Sequence, residues 1–209
     1  MLEREGVIKF DLAFRPGPAP AAVLLVELEA WRLIFRRLGL LGQDPRRYAG
    51  LGFGNLSRRA GSGLPANAFI ISGTQTGHLD QLAAAHYVTV LACDPAHNRV
   101  EASGPIRPSS EALSHGVLYQ ADPRIDWVMH LHSPEIFAAR QRLQLPTTAP
   151  AATYGSPQMA AEIARLAPLA GWPGLLAMGG HEDGLLAFGA EAAATGALVV
   201  RTLAAALAS

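Results

Sequence analysis

The sequence predicts an α/β fold built on a largely antiparallel sheet with helices on its faces. Short apolar runs bounded by glycine, proline and polar turns recur at residues 68–71, 86–92, 99–103, 175–178 and 185–188. Some follow one another with only a turn between them, the hairpin order of antiparallel strands rather than strict alternation with helices. Longer segments at 21–39, 109–119, 156–166 and 190–207 carry the apolar content and end signals of helices.

In chain order, residues 1–20 read as an irregular amino-terminal arm ending in a Pro-rich stretch, and residues 21–209 as a single domain. The first helix, 21–39, stops at Gly39 and Gly42. Residues 51–57 form a strand with a glycine-rich end, and 68–71 a buried strand running into Ser72-Gly73-Thr74-Gln75-Thr76-Gly77. Strands at 86–92 and 99–103 flank the turn 94–98 as a hairpin. Pro108 precedes a helix over 109–119, which a serine can cap and whose first turn holds Glu111. Residues 126–133, between Pro123 and Pro134, are a strand, followed by a helix over about 134–143. A loop with Pro146 and Pro150 leads to the helix 156–166; two strands and the alanine-rich helix 190–207 close the chain.

Half of the 209 residues are apolar and 16% are charged, the composition of a folded globule. A formal net charge of zero argues against nucleic acid and anionic lipid as partners. Glu27, Glu29, Arg32, Arg36 and Arg37 interrupt the apolar run at 21–41, which therefore reads as no membrane span. Cys93 is the single cysteine, and Glu3, Arg4 and Glu5 precede only a short apolar stretch rather than signal-peptide architecture. Both point to the cytoplasm.

Chemistry is concentrated in a few residues. In a strand, His130 and His132 face the same side, so the pair reads either as two ligands for one metal ion or as two satisfied core histidines. His181 lies among glycines and acids, as a surface loop residue or a third ligand. Three histidines with an open fourth position are the layout of a catalytic zinc site. Glu111 complements a helix dipole or, beside a metal, moves a proton at the carbon next to a carbonyl. Ser109 and Ser110 offer hydroxyls at a helix start, a seat for an oxyanion or phosphate. Asn55 and Ser57 are turn formers or donors to the same pocket, and the 72–77 turn is a plain loop or an anion holder. His115 shares a helix face with Glu111 and is a candidate to support the site from behind, whereas His78, His86 and His97 show no partner pattern.

Six segments in register resemble the class II aldolase/adducin family across residues 24–205: Gly54-Asn55-Leu56-Ser57, Ile71-Ser72-Gly73-Thr74, Pro108-Ser109-Ser110-Glu111 with His115 and Tyr119, His130-Leu131-His132-Ser133, Tyr154-Gly155, and His181 before Gly-Leu-Leu-Ala-Phe-Gly. The resemblance implies a three-layer α/β/α fold around a mixed, mainly antiparallel sheet. It makes His130, His132 and His181 the metal ligands and Glu111 the acid/base. Asn55, Ser72, Gly73, Ser109 and Ser110 become the substrate-phosphate pocket. It also implies a cytoplasmic homotetramer with active sites near subunit contacts, in keeping with the excess apolar surface of the first helix (Leu24, Leu28, Trp31, Ile34, Leu38).

Family members generally place the third histidine directly before a glycine, whereas here Glu182 and Asp183 intervene. An ungapped reading puts Asp183 at the ligand position; the donor chemistry favours His181. The segment between His132 and Tyr154 is shorter than in the fuculose-phosphate enzymes, and the catalytic tyrosine that loop carries there has no identified counterpart. The expected activity is a metal-dependent lyase, an aldolase or dehydratase, acting on a small hydroxy-carbonyl compound, a sugar phosphate, through a metal-stabilised enediolate. The expected cofactor is Zn2+, with Mn2+, Fe2+ or Co2+ as alternatives. An epimerase or decarboxylase on the same site is the second expectation, and a non-catalytic adducin-like binding module the third.

Overall fold

The structure, a computed structural model, describes residues 6–208. Its elements are β1 (Asp11–Pro16), α1 (Val26–Arg37), β2 (Gly42–Gln43), β3 (Gly52–Phe53), β4 (Asn55–Arg59), β5 (Phe69–Ser72), β6 (Tyr87–Asp94), β7 (Arg99–Gly104), α2 (Ala112–Ala121), β8 (Trp127–His132), α3 (Pro134–Ala139), α4 (Pro157–Leu166), β9 (Gly174–Ala177), β10 (Gly184–Gly189) and α5 (Ala192–Leu207). Eight strands form one sheet in the order β1-β7-β6-β5-β4-β8-β10-β9, while β2 and β3 pair apart from it. Among the paired strands of this sheet only β1 on β7 is parallel, so the sheet is mixed and mainly antiparallel.

Both faces of the sheet are covered. Val128 and Leu186 join side chains of α2 and α4, among them Leu113, Leu118, Met159 and Ile163, in one core. Trp127, Met129, Leu131 and Leu185 join Leu28 and Phe35 of α1, Ile136 of α3 and Val199 of α5 in the other. The result is the three-layer α/β/α arrangement, helices on a two-sided sheet. On the second face α1 and α5 meet where Trp31 packs onto Gly196, a contact that any larger side chain at Gly196 would block.

The local differences from the sequence reading have physical causes. The expected irregular arm over 1–20 contains β1, although residues 1–5 lie outside the described residues. Leu12 and Phe14 pack against the core while Asp11 and Arg15 face outward, the two-residue period of an edge strand, where Pro16 is tolerated. The first helix is a short turn at Ala22–Leu24 followed by α1. The strand expected at 51–57 breaks into β3 and β4 at Gly54, whose φ of +73° and approach to Leu41 exclude a side chain: a Cβ there would lie 2.5 Å from that of Leu41. The helix expected from residue 109 begins at Ala112, with Glu111 as the residue before it and no serine side chain capping it.

Candidate metal centre and active site

β8 is the strand between β4 and β10, and its register sets the site. His130 pairs with Asn55 of β4 and Leu186 of β10, and His132 with Gly184. The strand period turns both imidazoles to the α2–α4 face, where they are fully buried. The Nε2 atoms of His130 and His132 lie 3.1 Å apart, and His181 Nε2 lies 3.1 Å from that of His132. All three ligand atoms fall within 4.8 Å of one another. A tetrahedral cation with nitrogen ligands at 2.0–2.1 Å separates them by about 3.3–3.4 Å, so the spacing fits one. His130 Nδ1 is 3.0 Å from the Leu185 carbonyl, an acceptor that fixes the proton on Nδ1 and leaves the Nε2 lone pair to face the cluster. Burial, then the neighbouring His181 and His130, hold His132 well below the usual imidazole range, which keeps it in the neutral, coordinating form. These donors fit a divalent cation.

His181 reaches the cluster through a tight turn between β9 and β10. Its N–H donates to the Met178 carbonyl, and its carbonyl accepts from Gly184 N–H. The two residues inserted before Gly184 are thus absorbed in the turn, with Asp183 in the left-handed region at φ +56°. The Asp183 carboxylate instead accepts a hydrogen bond from the Tyr48 hydroxyl, at 3.0 Å. His181, not Asp183, completes the three-histidine group.

Glu111 stands beside this group with its side chain only 1% exposed. One oxygen accepts from Ser114 Oγ at 2.7 Å, and the other is 3.7 Å from His181 Nδ1. Ser114 lies three residues further along, on the same side of α2. The His181 ring also meets the ring of Tyr154 in a T-shaped contact (centroids 4.7 Å apart), and Lys9 Nζ sits over the Tyr154 ring at 3.5 Å.

A small cavity is lined by Asn55, Gly73, Ser109 and Ser110, together with Gly54 and residues 74–77. Ser72 is not among the lining residues: it is buried in β5, where its carbonyl accepts the Ser109 N–H. Gly73 and Thr74 donate their N–H groups to the His86 and Arg107 carbonyls. Those two amides of the turn are therefore engaged in the sheet and its loop, and side-chain donors matter more here than the glycine-rich pattern suggests. Ser57 does not line this cavity either; its hydroxyl is 2.6 Å from His115 Nδ1 and 2.8 Å from Tyr119 Oη, all buried. His115 is thereby fixed under the site, and burial keeps it neutral.

His78, His86 and His97 lie outside the histidine cluster; each bonds locally, His97 to Asp94 on the surface. The residues that sequence reasoning missed are Tyr48, Arg47 and Ser114. The three-residue spacing from Glu111 was a usable signal for Ser114; nothing local pointed to Tyr48, which meets Asp183 from 135 positions away.

A family model described as Class II Aldolase and Adducin N-terminal domain matches residues 43–199. Comparison with curated protein sequences finds no match. Among solved structures, L-fuculose-1-phosphate aldolase from Thermus thermophilus superposes with a TM-score of 0.62 at 18% identity, over 90% of this chain and 92% of that one. A sugar-phosphate aldolase from Thermotoga maritima gives 0.63 at 12% identity, over 86% and 91%. The N-terminal class II aldolase domain of a conserved protein from Thermoplasma acidophilum gives 0.59 at 14% identity, over 86% and 90%. At these identities the superpositions establish the shared fold.

Proposed function

The chain belongs to the Class II Aldolase and Adducin N-terminal domain family, and from that premise we propose that it is a metal-dependent lyase, an aldolase or dehydratase acting on a small hydroxy-carbonyl compound with an anionic end, a sugar phosphate. The observation that carries the reading is the convergence of three buried imidazole nitrogens next to the buried carboxylate of Glu111. His130, His132 and His181 would hold the cation, with zinc favoured by three nitrogen donors and manganese, iron or cobalt as alternatives. When bound, such an ion supplies Lewis-acid charge to a carbonyl or hydroxyl oxygen.

The protein's own groups supply the rest. In dehydration Glu111 takes the proton from the carbon next to the carbonyl; in aldol cleavage it delivers one to that carbon once the carbon–carbon bond has broken. Ser114 holds its carboxylate in place. Asn55, Gly73, Ser109 and Ser110 receive the anionic end of the substrate; Ser72 acts through the backbone that positions Ser109. No lysine or arginine lines that cavity among the described residues, so recognition there rests on uncharged donors. Val23, Val26, Ile34 and Leu38 leave apolar surface exposed on and beside α1, which supports a homo-oligomer, a tetramer. The proposed cytoplasmic placement rests on the single cysteine, Cys93; no helix among the described residues is long and apolar enough to cross a membrane.

The test is a panel of phosphorylated ketoses, tetronates and thioribulose phosphate with their unphosphorylated counterparts, supplied to metal-loaded protein with product identification. Carbon–carbon cleavage or loss of water supports the reading. Protein that is loaded with metal yet releases no product from any member, and binds no small anion, is a binding module and not this enzyme.

A further inference from the structure

The metal-type cluster has a carboxylate within two residues of it that does not take part. Asp183 follows His181 by two positions, and oxygen donors of this kind are ordinary ligands for a divalent cation. Its Oδ2 is instead held by the Tyr48 hydroxyl, which in turn accepts from Arg47 Nη2 at 2.7 Å. Arg47 is itself fixed: Nη1 donates to the Gly39 carbonyl at 2.8 Å, and the guanidinium lies over the Phe53 ring at 4.5 Å. Tyr48 sits directly against the cluster, its ring edge-on to His132 with centroids 4.7 Å apart. Two consecutive non-glycine residues, Tyr48 and Ala49, adopt left-handed backbone at φ +50° and +56°. Such conformations persist only where the surroundings enforce them.

The turn between β9 and β10 steadies two of the three imidazoles. It carries His181, and the Asp183 carbonyl accepts the Ser133 N–H, next to His132. Two residues from His181, a released carboxylate is an oxygen donor beside a site otherwise made of nitrogen donors, and its ligation would change both coordination number and metal preference.

We propose that Tyr48, backed by Arg47, is a positioning residue that sequesters the Asp183 carboxylate and so keeps the metal centre a three-imidazole site. The inference rests on the metal-binding reading above. Releasing Asp183 adds an oxygen ligand, raises the coordination number and shifts selectivity from zinc toward manganese, which favours carboxylate donors. The effect is specific to the metal: it alters what is bound and how, not whether the chain folds.

The experiment loads wild-type protein, Tyr48→Phe, Asp183→Glu and the double variant Tyr48→Phe/Asp183→Ala with Co2+ and records visible d–d absorption. Zn2+ and Mn2+ dissociation constants are measured alongside, and circular dichroism checks the fold. Tyr48→Phe should weaken the tetrahedral-type absorption and shift the Mn2+/Zn2+ affinity ratio toward Mn2+ by about tenfold, the lower end for a residue that orients ligands. Asp183→Glu, which keeps Tyr48 but lengthens the arm, should shift both in the same direction. The double variant, with no carboxylate to release, should return to the wild-type spectrum. An unchanged spectrum and ratio in both Tyr48→Phe and Asp183→Glu overturns the proposal, as does a double variant that stays like Tyr48→Phe. Wild-type protein that takes up no metal overturns the metal-dependent reading and this inference with it; metal uptake with unaltered variants overturns this inference alone.

Discussion

The histidine cluster and the neighbouring cavity are built by opposite means. The cluster stands on the strand between β4 and β10: backbone register places His130 and His132, and one tight turn adds His181. The cavity is assembled from segment ends, at Gly54–Asn55, in the loop after β5 and ahead of α2, and the Gly73 and Thr74 amides are already bonded to other main chain. Rigid elements fix a cation's geometry closely, whereas loops let the recognised anion vary while the cluster stays the same. Under the proposed function, the cluster with Glu111 carries the chemistry and the cavity the substrate choice.

The largest expected effect comes from the chemical side. Glu111→Gln keeps the volume and a partner for Ser114 but cannot take a proton. Turnover of the substrate identified by the panel should fall about 10²–10⁴-fold, with metal content unchanged. A variant within a few-fold of wild type would move proton transfer to another residue. Gly54→Ala probes the junction, because Gly54 lines the cavity and its absent side chain faces both Leu41 and the His130 carbonyl. Left-handed strain alone should cost about 1–3 kcal/mol, read as a lowered midpoint in urea unfolding. An unaltered midpoint would mean that this crossing tolerates a methyl group.

On the recognition side, Ser110→Ala should raise KM about tenfold and leave kcat nearly unchanged, the consequence of losing one hydrogen bond to a charged group. A fall in kcat at constant KM would bring Ser110 into the chemistry and erase the division between the two regions. The smallest effect is expected at His97, whose partner Asp94 lies with it on the surface. His97→Ala should leave metal content, kcat and KM as they are.

What the sequence made legible follows the same division. His130 and His132 could be read because a strand's two-residue period needs only neighbours, and β8 is an unbroken apolar run between two prolines. Glu111 and the two serines could be read because they sit together before a helix. Ser72 lies outside the lining of this cavity, and its position at the end of a strand does not reveal from sequence which way the last side chain turns. Tyr48 and Arg47 were invisible because their role depends on a long-range contact delivered by a left-handed turn at non-glycine residues, which no local pattern announces. β1 was overlooked because its alternation is short and ends in Pro16, a residue that argues against a central strand but not against an edge.

The central claim is that His130, His132 and His181 form one cation site, and metal stoichiometry tests it most directly. Purified protein, as isolated and after incubation with Zn2+, Mn2+, Fe2+ or Co2+ followed by desalting, would be analysed for bound metal by mass spectrometry. His132→Ala and His97→Ala would be measured in parallel. The account expects one tightly held divalent cation per chain in wild type and in His97→Ala, and none in His132→Ala. Wild-type protein that retains no metal under any of these conditions, or a His132→Ala variant that retains a full complement, would contradict it.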